Sequence, residues 1–400
     1  MEIMATDTFK GLDLAPIKTE RFEVSPPVVL APMAGITNQA FRKLCKEFGA
    51  GLYVSEMVTT RALVNRNPET IRMVTPDPDE EIKSVQLYGT DPQVMQEAVR
   101  LLVEENRADH IDINMGCPVP KVTRKGGGAA LPWKKDLFSE IINSAVKTAN
   151  ETTKALGQKK VPVSVKMRIG IDEDHQTYLE ASEAAAIAGV AWVALHGRTA
   201  NQMYSGKANW DAIRILAERM QVFEIPVLGN GDIWSAQYAI KMVKDTGAAG
   251  VVIGRGCLGR PWIFGQLSAA FLGRPIPQDP GLAEISKIMY RHAQLLCELY
   301  GDYKGIRDIR KHIAWYLKGF SVGSELRTKL ALVESLEEFE TLLNQMDLNQ
   351  DFPVSIADLP RGRTGSEKRV ALPQGWLDSQ YLNVNEASEL VAAELSVSGG

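Results

Sequence analysis

The sequence predicts a (β/α)₈ barrel, residues 25–275, followed by a small all-α domain over 276–350. Three observations carry this. Eight short apolar runs recur between residues 28 and 256, segments of helical period separate them, and polar residues stand at the C-terminal end of nearly every run. A doubly wound sheet is the alternative, but no GxGxxG opens a helix after the first run.

The eight runs are VVLAPM (28–33), GLYVSE (51–56), SVQLYG (84–89), IDINMG (111–116), PVSVKMR (162–168), VAWVALHG (190–197), PVLGNGD (226–232) and GVVIGRG (250–256). Helical period and composition mark 37–48, 92–106, 136–154, 176–189, 208–220 and 235–246 between them. Residues 1–24 read as a polar lead-in. Past Phe264 the strand rhythm stops, and 281–350 reads as helices. The stretch 304–320 is two-faced: Ile306, Ile309, Ile313, Leu317 and Phe320 line one side, and Lys304, Arg307, Lys311, Trp315 and Lys318 the other. An aromatic inside a basic cluster suits polynucleotide contact by charge neutralisation and stacking. Residues 351–400, rich in turn formers and ending SVSGG, read as a loosely ordered extension in which Arg361, Arg363, Lys368 and Arg369 are read as a solvated linker's charges in preference to contacts with a polyanion.

The 400 residues exceed what one core usually organises, so more than one domain is expected. A net charge of -4 gives no global nucleic-acid signal, and any polyanion must meet a local patch. Cys45, Cys117, Cys257 and Cys297 are scattered without metal-ligand or disulfide spacing, which predicts a reducing compartment and no metal site. MEIMATDTFKG has neither a basic start nor an apolar core, and no run reaches membrane-spanning length. A cytoplasmic protein is expected.

The chemistry gathers at the strand ends. Cys117 follows the fourth run and precedes Pro118, which biases the thiol's backbone away from helix and mounts it on a fixed turn. Lys121, Arg124 and Lys125, then three glycines, make a basic, backbone-permissive segment suited to a phosphate-bearing partner. Arg168 and Arg198 add cations to the same rim. Gly229 to Asp232 and Gly254 with Arg255 lie on adjacent strand ends, where such barrels hold a phosphate. Lys166 is a lysine among apolar neighbours, placed to stabilise negative charge on a reduced flavin, with Gln86 and His196 as donors to the same ring. An unperturbed thiol is mostly protonated at neutral pH, so Cys117 is suited to proton donation beside a hydride donor.

APMAGITNQAFR (31–42), VQLYG (85–89), DINMGCP (112–118), VKMRIG (165–170), LHGRT (195–199), GNGDI (229–233) and IGRG (253–256), with RKHIAWYLKG (310–319), resemble in order and spacing the bacterial tRNA-dihydrouridine synthases, closest to the DusB-like branch. The resemblance covers about residues 25–345. It implies an FMN-binding barrel, reduction by NADPH (NADH is possible), a monomer, and a helical domain that holds tRNA. It implies that Cys117 protonates uracil C5 after hydride reaches C6, and that Asn114 lies beside the uracil. Pro32, Met33, Ala34, Gln86, Lys166 and His196 would surround the flavin. Asn230, Gly231, Asp232, Gly254 and Arg255 would hold its ribityl phosphate, and Arg198 would contact RNA. The glycine-rich KGGGAAL after the cysteine and the tail past 350 depart from the family's pattern. Two rivals remain: a flavin dehydrogenase of a free pyrimidine-like molecule, which has no need of a basic, Trp-bearing helix, and a non-catalytic tRNA-binding protein, which has no need of Cys117, Lys166 and His196.

Overall fold

The computed structural model describes residues 11–49, 51–362, 364–384, 386–388 and 390. The first ten residues, Arg363 and the SVSGG end lie outside the described residues.

Eight parallel strands close into a barrel: β3 (Val28–Leu30), β4 (Leu52–Thr59), β5 (Ser84–Tyr88), β6 (His110–Met115), β7 (Val163–Arg168), β8 (Val193–His196), β9 (Val227–Asn230) and β10 (Gly250–Ile253). Closure is made where β10 pairs with β3, Val251 opposite Val28 and Ile253 opposite Leu30. All eight apolar runs of the sequence supply these strands. They read as near-continuous Val, Ile and Leu because both faces of a parallel sheet are covered.

Crossovers are α1 (Gln39–Phe48), then α2 (Thr60–Val64) with α3 (Pro68–Met73), α4 (Pro92–Glu104), α5 (Pro120–Thr123) with α6 (Lys135–Ala155), α7 (Tyr178–Ala188), α8 (Trp210–Met220), α9 (Ala236–Thr246) and the closing α10 (Ile263–Phe271). Their starts carry side-chain caps: Asn38 accepts the Phe41 N–H, Asp91 those of Gln93 and Val94, and Asn209 that of Ala212. Between strands and helices lies the larger core, and a smaller one fills the barrel around Val29, Leu52, Trp192 and Leu228.

The described part of the expected lead-in is a hairpin, β1 (Ile17–Lys18) with β2 (Glu23–Val24). Ile17 and Val24 are buried against the first inward residues of the strands, so the hairpin closes the barrel's N-terminal end.

The helices after the barrel are α11 (Leu282–Tyr300), α12 (Asp302–Tyr316), α13 (Ser324–Leu330) and α14 (Leu336–Leu343). The two-faced stretch is helical only to Tyr316. Leu317 and Phe320 are buried from the turn that follows, where Gly319 has φ 84°. On the inner face Ile306, Ile309 and Ile313 are buried.

The tail corrects the expectation of a loose extension. Arg361 is buried and donates to the carbonyls of Leu258 (3.3 Å) and Trp315 (3.0 Å). The Trp376 indole is buried and donates to the Ala130 carbonyl at 3.0 Å. The fully buried Lys134 ammonium pairs with Glu386 at 2.8 Å. These three anchors are single residues separated by turn formers, and no periodicity announces them.

Candidate active site

A cavity of about 760 Å³ opens at the C-terminal mouth of the barrel. Its floor is lined by Met33, Gln86, Asn114, Cys117, Lys166 and His196, one wall by Asn230 to Asp232, Gly254 and Arg255, and the rim by Lys311 and Trp315 of α12. Residues from every part of the barrel's strand order therefore meet in one volume. Lys311 and Trp315 bring the helical segment to the same opening.

Cys117 is fixed from two sides. The Asn114 side-chain oxygen accepts the backbone N–H groups of Gly116 (3.0 Å) and Cys117 (2.9 Å). The Cys117 carbonyl accepts the Ala129 N–H at 3.0 Å, and a Cβ on Gly128 would stand 2.5 Å from that carbonyl oxygen. The glycine run is what lets the loop close back under the cysteine. Burial raises the thiol's pKa above its ordinary value, against the lowering influence of the Val119 N–H and of Arg168 and Lys166, so Cys117 is held as a thiol at neutral pH.

Below it a buried polar chain crosses three strands. Asn114 Nδ2 donates to Gln86 Oε1 (2.9 Å), and Gln86 Nε2 donates to Asp112 Oδ2 (2.6 Å). Asp112 also accepts from the Ser164 hydroxyl, which meets His110 Nε2 at 2.9 Å. Asp112 sits one strand position pair below Asn114 and escaped the sequence reading, although the alternation of DIN puts both on the inward face. Its carboxyl is raised above the ordinary range by burial.

Lys166 makes no hydrogen bond or ion pair among the described residues, and burial, then the neighbouring Arg168, lower its pKa to about 8. A partly buried ammonium that faces a cavity, with no hydrogen bond or ion pair among the described residues, fits an anionic ligand edge. His196 is held neutral by burial and by the cations around it.

The wall carries a charge network centred on Asp232. Gly231 has φ 122°, and a Cβ there would stand 3.0 Å from the His196 ring. Asp232 is fixed at φ 55°; its carboxylate accepts from Arg198 (2.8 Å) and the Ala208 N–H (2.7 Å) and faces Arg255 at 3.5 Å. Arg255 also lies over the Tyr204 ring at 4.4 Å and the Trp234 ring at 5.2 Å, an aromatic setting that the sequence reading missed. Asn230 spends its amide on the Val252 carbonyl, tying β9 to β10.

Two of the cations expected to meet RNA are buried and occupied by the protein's own loops, Arg168 while lining the cavity. Arg198 is 1% exposed and is committed to Asp232 and the carbonyls of Ser205 and Gly206. Arg168 is buried and clamps the carbonyls of Gly116, Thr199 and Met203. Both side chains hold loops together, because an arginine fork satisfies several carbonyls at once. Lys121 and Arg124 are exposed beside Cys117 on and after α5. On α12, Arg307 is paired with Glu334 (3.1 Å) and lies on Tyr303, and Lys304 lies over the Tyr300 ring; Lys318, in the turn after the helix, donates to the Pro360 carbonyl. Among the described residues no His, Cys, Asp and Glu cluster could hold a metal.

The fold and site define an α/β-barrel protein with a thiol, a partly buried ammonium and an arginine–aspartate network at the strand ends. The model of the dihydrouridine synthase family matches residues 29–354, and the chain belongs to that family. It is 50% identical to a probable tRNA-dihydrouridine synthase of Mycobacterium leprae, over 93% of this chain and 100% of the relative. It is 53% identical to one of Mycobacterium tuberculosis, over 93% of this chain and 95% of the relative. With tRNA-dihydrouridine synthase B of Pseudomonas syringae the identity is 39%, over 82% of this chain and 92% of the relative.

Proposed function

We propose that this chain reduces specific uridines in tRNA to 5,6-dihydrouridine, using FMN and NADPH, with NADH as a second possible reductant. The observation that carries the reading is the convergence of Cys117, Lys166 and the β9–β10 charge network in one cavity. FMN fits these residues: the unpaired Lys166 ammonium suits the pyrimidine edge of the ring, and Arg255 with the backbone at Gly231 and Gly254 suits the phosphate. When bound and reduced, FMN supplies the hydride taken up at uracil C6.

The chain's own part is positioning and the proton. Cys117, kept protonated by burial, gives its Sγ proton to C5, and solvent restores it. Asn114 holds that thiol's backbone in place from beside the uracil. Met33 and Pro32 with Ala34 bound the ring site, and His196, neutral, is available as a hydrogen-bonding group rather than a charge. A uridine has to leave its stack to reach this floor, so Lys311 and Trp315 at the rim receive the RNA, with the helical segment 276–350 as its platform. The same reading makes it a cytoplasmic monomer.

The test is nucleoside mass spectrometry of tRNA from cells lacking the gene, mapped by position, beside the absorption spectrum of the purified protein. A yellow protein and dihydrouridine missing at defined positions are expected. A colourless protein, or dihydrouridine unchanged with no related enzyme to replace it, overturns the proposal.

A further inference from the structure

The family match stops at residue 354, yet the chain beyond it runs across the active-site mouth. It leaves the helical segment at Pro360, whose carbonyl accepts from Lys318, and passes Leu258 through the buried Arg361. The Lys368 N–H donates to the Asn201 carbonyl at 2.8 Å, on the loop after β8. Farther on, Trp376 closes over the glycine run behind Cys117: a Cβ on Gly126 would stand 2.7 Å from the indole. The segment is thus tied down at both ends and once in the middle. Between the first two ties, Thr364, Ser366 and Lys368 are exposed and line the same cavity as Cys117, with Lys311 and Trp315 of α12 also on its rim.

We propose that this strap is a second wall of the RNA cleft and that Lys368, with the hydroxyls of Thr364 and Ser366, contacts the sugar-phosphate backbone next to the extruded uridine. The proposal rests on the synthase reading above. An exposed lysine and two hydroxyls at the lip of a cavity, on a backbone fixed by buried anchors, have the chemistry of phosphate contacts: they position a polynucleotide without reading its bases. Glu367 is exposed beside them, and the cationic side chain is the one on the cavity. The KGGGAAL sequence has the same explanation, since its first glycine makes room for the strap's Trp376.

Deleting the strap would uncover Trp376's bed and strand the buried Lys134, so point substitution is the cleaner test. Lys368→Glu and the double variant Thr364→Ala/Ser366→Ala are compared with the full-length holoenzyme. The readouts are Kd for tRNA purified from cells that lack dihydrouridine, the slope of log Kd against log salt, NADPH reduction of the flavin and the melting temperature. The charge reversal should weaken tRNA binding roughly tenfold and reduce the salt slope by about one. The double variant should weaken it by a smaller factor, with flavin reduction and melting unchanged in both. Wild-type affinity and slope in Lys368→Glu overturn the strap's role while leaving the synthase reading intact. A wild-type protein that neither binds tRNA nor forms dihydrouridine overturns both.

Discussion

The Asn114 side-chain oxygen accepts the backbone N–H of Cys117 at 2.9 Å while its amide nitrogen donates to Gln86. One residue therefore couples the Cys117 loop to the polar chain that runs through Gln86 to Asp112, Ser164 and His110. Asn114→Ala removes both loop hydrogen bonds and leaves Gln86 Oε1 without its donor. Because about an ångström of misplacement costs on the order of 100-fold in rate, kcat for dihydrouridine formation should fall by about that factor. Tight tRNA binding should persist. Asn114→Asp, which keeps the acceptor, should recover part of the rate; single-turnover kinetics of the two variants decide it, and equal rates in both would remove the positioning role.

Cys117 has the opposite signature. Cys117→Ala leaves the loop's backbone bonds to Asn114 and Ala129 in place and deletes only the proton. Product formation should drop about 100- to 10,000-fold, the usual range for a lost general acid, with tRNA affinity and NADPH-driven flavin reduction kept. Unchanged product formation would sink the assignment of the proton to this thiol.

The sequence discloses those features that have a local cause. Buried parallel strands are apolar runs, so β3 to β10 stand out, and rim residues follow each run because that is where loops begin. Arg168 and Arg198 read as surface cations since charge is visible in a sequence and burial among carbonyls is not. Asp112 gives no local signal because its partners, Gln86 and Ser164, come from neighbouring strands. The strap is illegible for a related reason: Arg361, Trp376 and Glu386 hold it to distant parts of the barrel, and a chain without helical or strand period gives no sign of such anchors.

On α12 the geometry separates two cations that look alike in sequence. Arg307 is occupied by Glu334 and Tyr303, whereas Lys311, whose ion-pair partner among the described residues is Asp308 of its own helix, stands on the cavity rim. Lys311→Ala should weaken tRNA binding several-fold, and Arg307→Ala by clearly less, with flavin reduction untouched in both. Titrations at two salt concentrations give the comparison. If the two substitutions cost the same, the rim position of Lys311 has no special part in binding.

Stability should fall in mild acid, and the buried histidines give the window. Burial lowers the pKa of His110 and of His292 from 6.5 to about 3, and His196 and His312 lie well below 6.5 for the same first reason. A histidine whose folded-state pKa is depressed contributes stability that is complete above about 6.5 and is lost as pH falls toward the folded value, because only the unfolded chain takes up the proton. Each of the four should cost about 1.4 kcal/mol per pH unit once the pH is below that point. Asp112 and Glu56, raised by burial, act in the opposite sense, gaining stability as pH falls from their raised folded-state values toward 3.8 and 4.5, so they offset part of the histidines' loss. His312 is the position at which to assign the effect: it stacks on Phe41 at 5.9 Å, and neither ring nitrogen has a hydrogen-bond partner among the described residues. His312→Phe should therefore keep the packing and remove one proton's share of the loss. Urea midpoints of wild type and variant at pH 7.5 and 5.5 provide the measurement; a His312→Phe variant that loses as much stability between them as wild type would mean that this ring supplies no share of the loss.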